Sequence, residues 1–333
     1  MVSATPARSI GLRRLVFVFL LVPAAIIVNA SDTATGLPLF RFCNLTFPQS
    51  AVPDVNTVYI PFKQVGQLMM VEATVDTVTG LFIVDTGSER LVLNKKHYPV
   101  KADGRTIAAA GNTGLVGAVY GKNIDSIKME KLVVPNLFAH VIDLSHIETK
   151  KNIRLAGILG YNVFREFALF IDFPQKRIVL FRTRPSGVLV EPQAQWEVPS
   201  DSLAFTLKKH FILVDATVNA VKVKLIIDSG AELNLIDRHV NRKVLDKFTI
   251  IKRVNLVGVG KKEVEVLAGV LKEVHVGRQY AEKMNTLFTS LDDMNQSFDV
   301  QADGVLGYEF LKNRRTLINY AKRKVYFFNP VRS

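Results

Sequence analysis

From Thr57 onward the chain is a series of short apolar runs. They are rich in β-branched and aromatic residues and are broken by Gly, Asn and Asp, while helical periodicity is confined to short stretches such as 161–167. That pattern predicts an all-β architecture with a few short helices, because strands take apolar runs and turns take Gly, Asn and Asp. Residues 31–56 are mixed, rich in Pro, Thr and Asp, and read as an N-terminal arm. A second break, RTRPSGVLVEPQAQWEVPS at 182–200, has three Pro and no clean period. It reads as a linker, with Trp196 packed over a seam.

The apolar pattern is written twice. LFIVDTGSERLVL at 81–93 and KLIIDSGAELNLI at 224–236 share a form: an apolar run, Asp-[Thr/Ser]-Gly-[Ser/Ala]-Glu, then a second apolar run. VEATV (71–75) matches VDATV (214–218) at the same offset of 143, and so do Gly117 and Gly260. After a four-residue insertion, AGILGYNVFREFALFIDFPQKRIVLF (156–181) matches DGVLGYEFLKNRRTLINYAKRKVYFF (303–328) at 147 without a gap. Separated blocks in one order mean a duplicated lobe. The expected division is a leader at 1–30, the arm at 31–56, a first lobe at 57–181, the linker at 182–200 and a second lobe at 201–333.

Composition adds a compartment. Arg8, Arg13 and Arg14 precede the apolar run 15–28, and Val28-Asn29-Ala30 supplies a small-residue cleavage pattern, which reads as a secretory signal peptide. The run is too short and too broken at Pro23 for a comfortable span, so an uncleaved anchor is the secondary reading and no stable membrane span is expected after cleavage. The single Cys43 allows no internal disulfide and reads as an inert thiol. Export without disulfides favours a bacterial envelope, periplasmic or secreted. Asn44-Leu45-Thr46 matches a glycosylation triplet that a bacterial source would leave unused. With 48% hydrophobic and 22% charged residues the chain is globular. Its net charge of +13 falls to about +10 without the leader and is dispersed. Dispersed charge gives solvated surface rather than a nucleic-acid groove.

The acids of the repeat carry the chemistry. Asp85 and Asp228 each follow a β-branched run, where a carboxylate needs a partner. Each is expected to be the other's partner. Two carboxylates held roughly 3 Å apart cannot both ionise and share one proton. The charged member can then draw a proton from water while the protonated member donates to a carbonyl oxygen, with no metal or cofactor. Gly87 and Gly230 allow tight turns that aim N–H groups at the carboxylates. Thr86 and Ser229 offer short hydroxyls to fix those turns, and the preceding strands aim the acids.

The Asp-[Thr/Ser]-Gly segments, each followed downstream by Ile158-Leu159-Gly160 or Val305-Leu306-Gly307, resemble the pepsin/retropepsin superfamily of aspartic proteases. They resemble more closely the bacterial exported aspartyl-protease-like proteins with two retropepsin-like lobes. The resemblance covers about 57–328. It implies a bilobal fold of two β-barrel-like lobes with the active site at the seam, in which the hydrophobic-Gly segment crosses beneath each active turn and a short helix (161–167, 308–315) follows. It implies that Thr86 and Ser229 bond across the seam, and that an extended polypeptide substrate adds to the cleft as a strand does. It also implies a Gly-rich flap. GNTGLVGAVYG (111–121), with Gly114, Gly117 and Tyr120, is the richer candidate; LVGVG (256–260), with Gly258 and Gly260, is its partner, and ordinary hairpin turns are the plain alternative for both.

Ser88 and Ala231 follow the two glycines. By the resemblance, a hydroxyl here donates to the carboxylate and favours ionisation whereas Ala does not, so an acidic but not extreme pH optimum is expected. Glu89 and Glu232 read either as subsite acids contacting substrate backbone or a structural Arg, or as solvent-facing charges. Asp172 has Asn319 as its counterpart and reads as structural. His97, His140, His146, His210, His239 and His275 show no metal-ligand spacing, and Gly258 to Lys262 lacks the spacing of a phosphate loop. The expected activity is an aspartic endopeptidase, monomeric because both acids lie on one chain. The alternatives are a catalytically silent peptide- or partner-binding relative and a basic surface protein for anionic polymers.

Overall fold

The computed structural model describes residues 56–100, 106–107, 110–111, 114–115, 119–191, 197–257 and 263–329. Within them the chain is all-β, as expected, and built from three principal sheets. The first has eight strands in the order Lys63–Val65, Leu68–Val75, Val78–Val84, Leu155–Leu159, Leu91–Asn94, Leu132–Ile142, Val119–Met129 and Thr106–Ile107. The second repeats that plan with Thr206–Lys208, Phe211–Val218, Val221–Ile227, Gly304–Leu306, Asn234–Asp237, Gln279–Thr289, Glu263–Val276 and Phe248–Val257. In each, the second strand also pairs with the seventh, Thr74 with Lys128 and Thr217 with His275, so the sheet curls back on itself. The curl turns one apolar face inward, which an open sheet cannot do alone.

A six-stranded sheet joins the two, in the order Thr57–Pro61, Arg177–Arg182, Phe167–Asp172, Arg315–Asn319, Lys324–Phe328 and Asp201–Ala204. Its two central strands are the same segment of the repeat. They run antiparallel with Phe170 opposite Leu317, positions separated by the repeat offset of 147. Asp172, fully buried in this sheet, accepts from Arg315 Nε at 3.3 Å and lies 3.7 Å from Arg177 Nε, in keeping with a structural role.

One apolar core runs through all three sheets, including Ile60, Phe82, Phe164, Ile212, Phe310 and Phe327. Burying each side chain of this size contributes about 2 kcal/mol. The helices are shorter than the sequence suggests. Tyr161–Phe164 and Tyr308–Leu311 are single turns, and Phe167 already belongs to the central sheet, whose ladder claims the residues that a longer helix would use. Two further helices, Ser145–Lys151 and Asp292–Phe298, end in left-handed Asn152 and Asp299 at equivalent positions. Among the described residues, no helix is long and apolar enough to cross a membrane. The leader, the arm up to residue 55, Cys43 and Trp196 lie outside the described residues.

Candidate active site

Each acid sits at the end of a buried strand that two neighbours hold. Val78–Val84 runs parallel to Leu155–Leu159, and the Asp85 N–H donates to the Leu159 carbonyl at 3.0 Å. Val221–Ile227 runs parallel to Gly304–Leu306, and the Asp228 N–H donates to the Leu306 carbonyl at 3.0 Å. The hydrophobic-Gly segments thus lie directly beside the two acidic turns. After each, the first helical residue reaches the turn: the Tyr161 N–H donates to Ser88 O at 2.7 Å, and the Tyr308 N–H to Ala231 O at 2.8 Å. Gly160 and Gly307 have no room for a Cβ, which would strike the backbone of Arg90 and Ala231.

The two turns grip each other. The Thr86 N–H donates to Ser229 Oγ at 3.1 Å and the Ser229 N–H donates to Thr86 Oγ1 at 3.0 Å. The hydroxyls then donate onward, Ser229 to Val84 O at 2.9 Å and Thr86 to Ile227 O at 3.4 Å. This brings together Asp85 and Asp228, both buried. Gly87 lies against the Asp228 carboxyl and Gly230 against that of Asp85, and a Cβ at either would overlap it.

One N–H serves both acids. The Gly87 N–H donates to Asp85 Oδ1 at 2.8 Å and to Asp228 Oδ1 at 3.1 Å, while the Gly230 N–H donates to Asp228 Oδ1 at 2.8 Å. Asp85 Oδ2 is buried with no partner. Burial, the Asp228 charge and the Asp228 carboxyl hold Asp85 well above the ordinary carboxylate range, against the N–H groups of Gly87 and Ser88. Asp228 is also raised by burial, but the Asp85 carboxyl, Gly230 and Gly87 all oppose the rise. The pair therefore holds one proton between them, and Asp85 keeps it because three hydrogen-bond partners oppose the rise at Asp228. An adjacent carboxylate and carboxylic acid can take one proton and give another in a single event.

The other expected residues fall out unevenly. Ser88 Oγ donates to Arg90 O at 3.0 Å, not to a carboxylate, because the turn puts that carbonyl within reach. The expectation of a hydroxyl that favours ionisation is thereby corrected; Ser88 acts on Asp85 through its N–H. Ala231 is buried against Gly307. Glu89 pairs with its neighbour Arg90 at 3.1 Å and leaves Oε2 buried without a partner. Glu232 instead crosses to the first sheet's side, where Lys151 Nζ donates to its two oxygens at 2.7 and 2.6 Å. Neither is a free solvent-facing charge. Gly114 belongs to a small hairpin, Gly114–Leu115 with Ala110–Gly111, that comes against helix Asp292–Phe298. Tyr120 pairs with Val141, and Lys95 Nζ lies 4.7 Å from its ring centroid. Gly117, Gly258 and Gly260 lie outside the described residues.

Sequence reasoning missed two residues that touch these turns. Lys151 carried no signal in the sequence. His210 was one of six scattered histidines, yet its Nε2 lies 2.9 Å from the Gly87 carbonyl. Its place in the turn before the repeated VDATV was the available clue. Asp237, His239 and Asp292 bring possible ligand atoms within 4.8 Å of one another. However, Asp292 Oδ2 already accepts from Arg238 at 3.0 Å and Ser290 at 2.6 Å, which makes the group an ion-pair network.

A family model described as Aspartyl protease matches residues 214–310, the stretch that holds Asp228, Ser229, Gly230 and Val305-Leu306-Gly307. No curated protein matches the chain. The match supports an aspartyl-protease-like family, and the all-β sheets with their barrel-like curl agree with such a fold.

Proposed function

We propose that this protein is an aspartic endopeptidase with two retropepsin-like lobes, in which Asp85 and Asp228 activate one water between them. The observation that carries the proposal is the Gly87 N–H, which donates to both carboxyls at 2.8 and 3.1 Å and so holds them face to face. In the proposed cycle the Asp228 carboxylate takes a proton from water as its oxygen attacks the scissile carbonyl carbon. Asp85 gives its proton to the carbonyl oxygen. The resulting diol collapses as the C–N bond breaks, Asp228 passes its proton to the leaving nitrogen, and a diol proton returns to Asp85. Both acids end as they began, and neither metal nor covalent intermediate takes part.

The substrate is an extended polypeptide bound by main-chain hydrogen bonds. Both acids come from one chain, which supports a monomer. The apolar run after Arg8, Arg13 and Arg14 supports export. The purified protein is expected to cleave a denatured protein mixture at about pH 4–6, the range in which a carboxyl pair holds one proton. A statine-type inhibitor is expected to block that cleavage. Tight inhibitor binding without any cleavage would instead identify a catalytically silent peptide-binding relative.

A further inference from the structure

His210 is fully buried in the turn between Thr206–Lys208 and Phe211–Val218, yet its ring reaches out of that sheet to the Asp85 turn. Its Nε2 lies 2.9 Å from the Gly87 carbonyl. A carbonyl only accepts, so Nε2 carries the proton and Nδ1, buried without a partner, carries the lone pair. Phe211 and Phe298 hold the ring, with centroids at 4.0 and 5.5 Å. The charges around it are few. Lys209 Nζ lies over Phe298, and Lys208 pairs with Asp299 at 2.8 Å. Burial pushes the imidazole down to about 3, Lys209 adds to that, and the Gly87 bond opposes it, so the ring stays a neutral donor at working pH.

We propose that His210 is a positioning residue for the acid pair: by holding the Gly87 carbonyl it fixes the peptide units whose N–H groups support the single negative charge of the pair. This rests on the reading of Asp85 and Asp228 as the catalytic pair. Gly87 has no side chain to anchor it, and its N–H is the one both acids share. Its carbonyl belongs to the peptide whose other end is the Ser88 N–H, which donates to the Asp85 main-chain carbonyl at 3.3 Å and lowers the neighbouring carboxyl. A donor on that carbonyl polarises the peptide and strengthens the Ser88 N–H. Among the described residues the second turn has no equivalent. The repeat places Gln67 at the matching position, but Gln67 Nε2 donates to Glu309 at 3.4 Å, and the Lys151–Glu232 pair braces that side.

His210→Phe removes the donor and keeps the ring; His210→Gln offers an amide N–H near the place of Nε2. Carboxyl carbon NMR titration of the pair, and the pH profile of kcat, read the effect. In His210→Phe the upper apparent pKa of the pair is expected to rise by about half a pH unit, the scale of a weakened hydrogen bond. The same variant is expected to lose about tenfold in kcat with little change in KM. His210→Gln is expected to restore both. A titration identical in wild type and His210→Phe would overturn the proposal. Should His210→Phe not fold, His210→Asn, whose shorter amide falls short of Gly87, takes its place, and equal titrations for Gln and Asn overturn the proposal equally. If the titration moves while wild type cleaves nothing, the positioning role stands and the proteolytic reading falls.

Discussion

Phe170 and Leu317 face each other across the central pair of strands, and they are the same position of the repeat. Two copies of one segment that pair antiparallel about equivalent residues are related by a local two-fold. The reciprocal bonds of Thr86 and Ser229 obey the same relation at the acids. Because each hydroxyl accepts from the opposite turn and donates back to the opposite strand, Ser229→Ala strands two buried groups, the Thr86 N–H and the Val84 carbonyl. Chemical denaturation is expected to show a loss of about 2 kcal/mol, with Thr86→Ala similar. The double variant is expected to lose less than the sum, because the bonds form one network.

Burying the Asp85 carboxyl beside Asp228 costs stability at neutral pH. Its carboxyl is raised, so its favourable contribution is present below the unfolded value of 3.8 and is lost as pH rises through the folded one. At pH 7, Asp85→Asn is therefore expected to be more stable than wild type by about 1 kcal/mol. The advantage is expected to shrink towards pH 4. Thermal melts across that range check the sign.

His140 works in the opposite direction. It is fully buried with neither ring nitrogen partnered, and burial, then Arg90, lowers it from 6.5 to about 4. Below pH 6.5 the unfolded chain binds a proton that the folded chain refuses, so stability falls between about 6.5 and about 4. The repeat places Leu287 at the matching position. His140→Leu is expected to stabilise the protein by about 1 kcal/mol at pH 7. Its advantage is expected to grow as pH drops, which denaturation at pH 7 and pH 5 would show.

Lys151 and Glu232 form a buried ion pair that crosses between the repeats beside the second acidic turn, with side chains 13% and 4% exposed. Removing one partner leaves the other charged and enclosed. Glu232→Gln is expected to lose about 3 kcal/mol, and Lys151→Met a similar amount. The pair of substitutions together is expected to recover much of the loss, a coupling that a double-mutant cycle measures.

The repeat made most of this legible in advance. Asp85, Asp228 and their glycines stand out because a motif written twice at one spacing constrains both copies, and apolar runs named the strands. The central six-stranded sheet was hidden, since nothing local in Phe167–Asp172 says that its partner is the distant Arg315–Asn319. Helices Ser145–Lys151 and Asp292–Phe298 are too short to show a period; only the left-handed Asn152 and Asp299 mark their ends. His210 and Lys151 were invisible for a further reason. They depart from the repeat, with Gln67 and Phe298 at the matching positions, so the symmetry that exposed the acids concealed what distinguishes them.

Hydrolysis by a shared-proton pair is tested most directly by following kcat/KM for one peptide across pH in wild type, Asp85→Asn and Asp228→Asn. The expected result is a bell-shaped wild-type profile, with both variants folded and slower by about 10³-fold or more at every pH. A folded Asp85→Asn or Asp228→Asn variant that cleaves at the wild-type rate would contradict it.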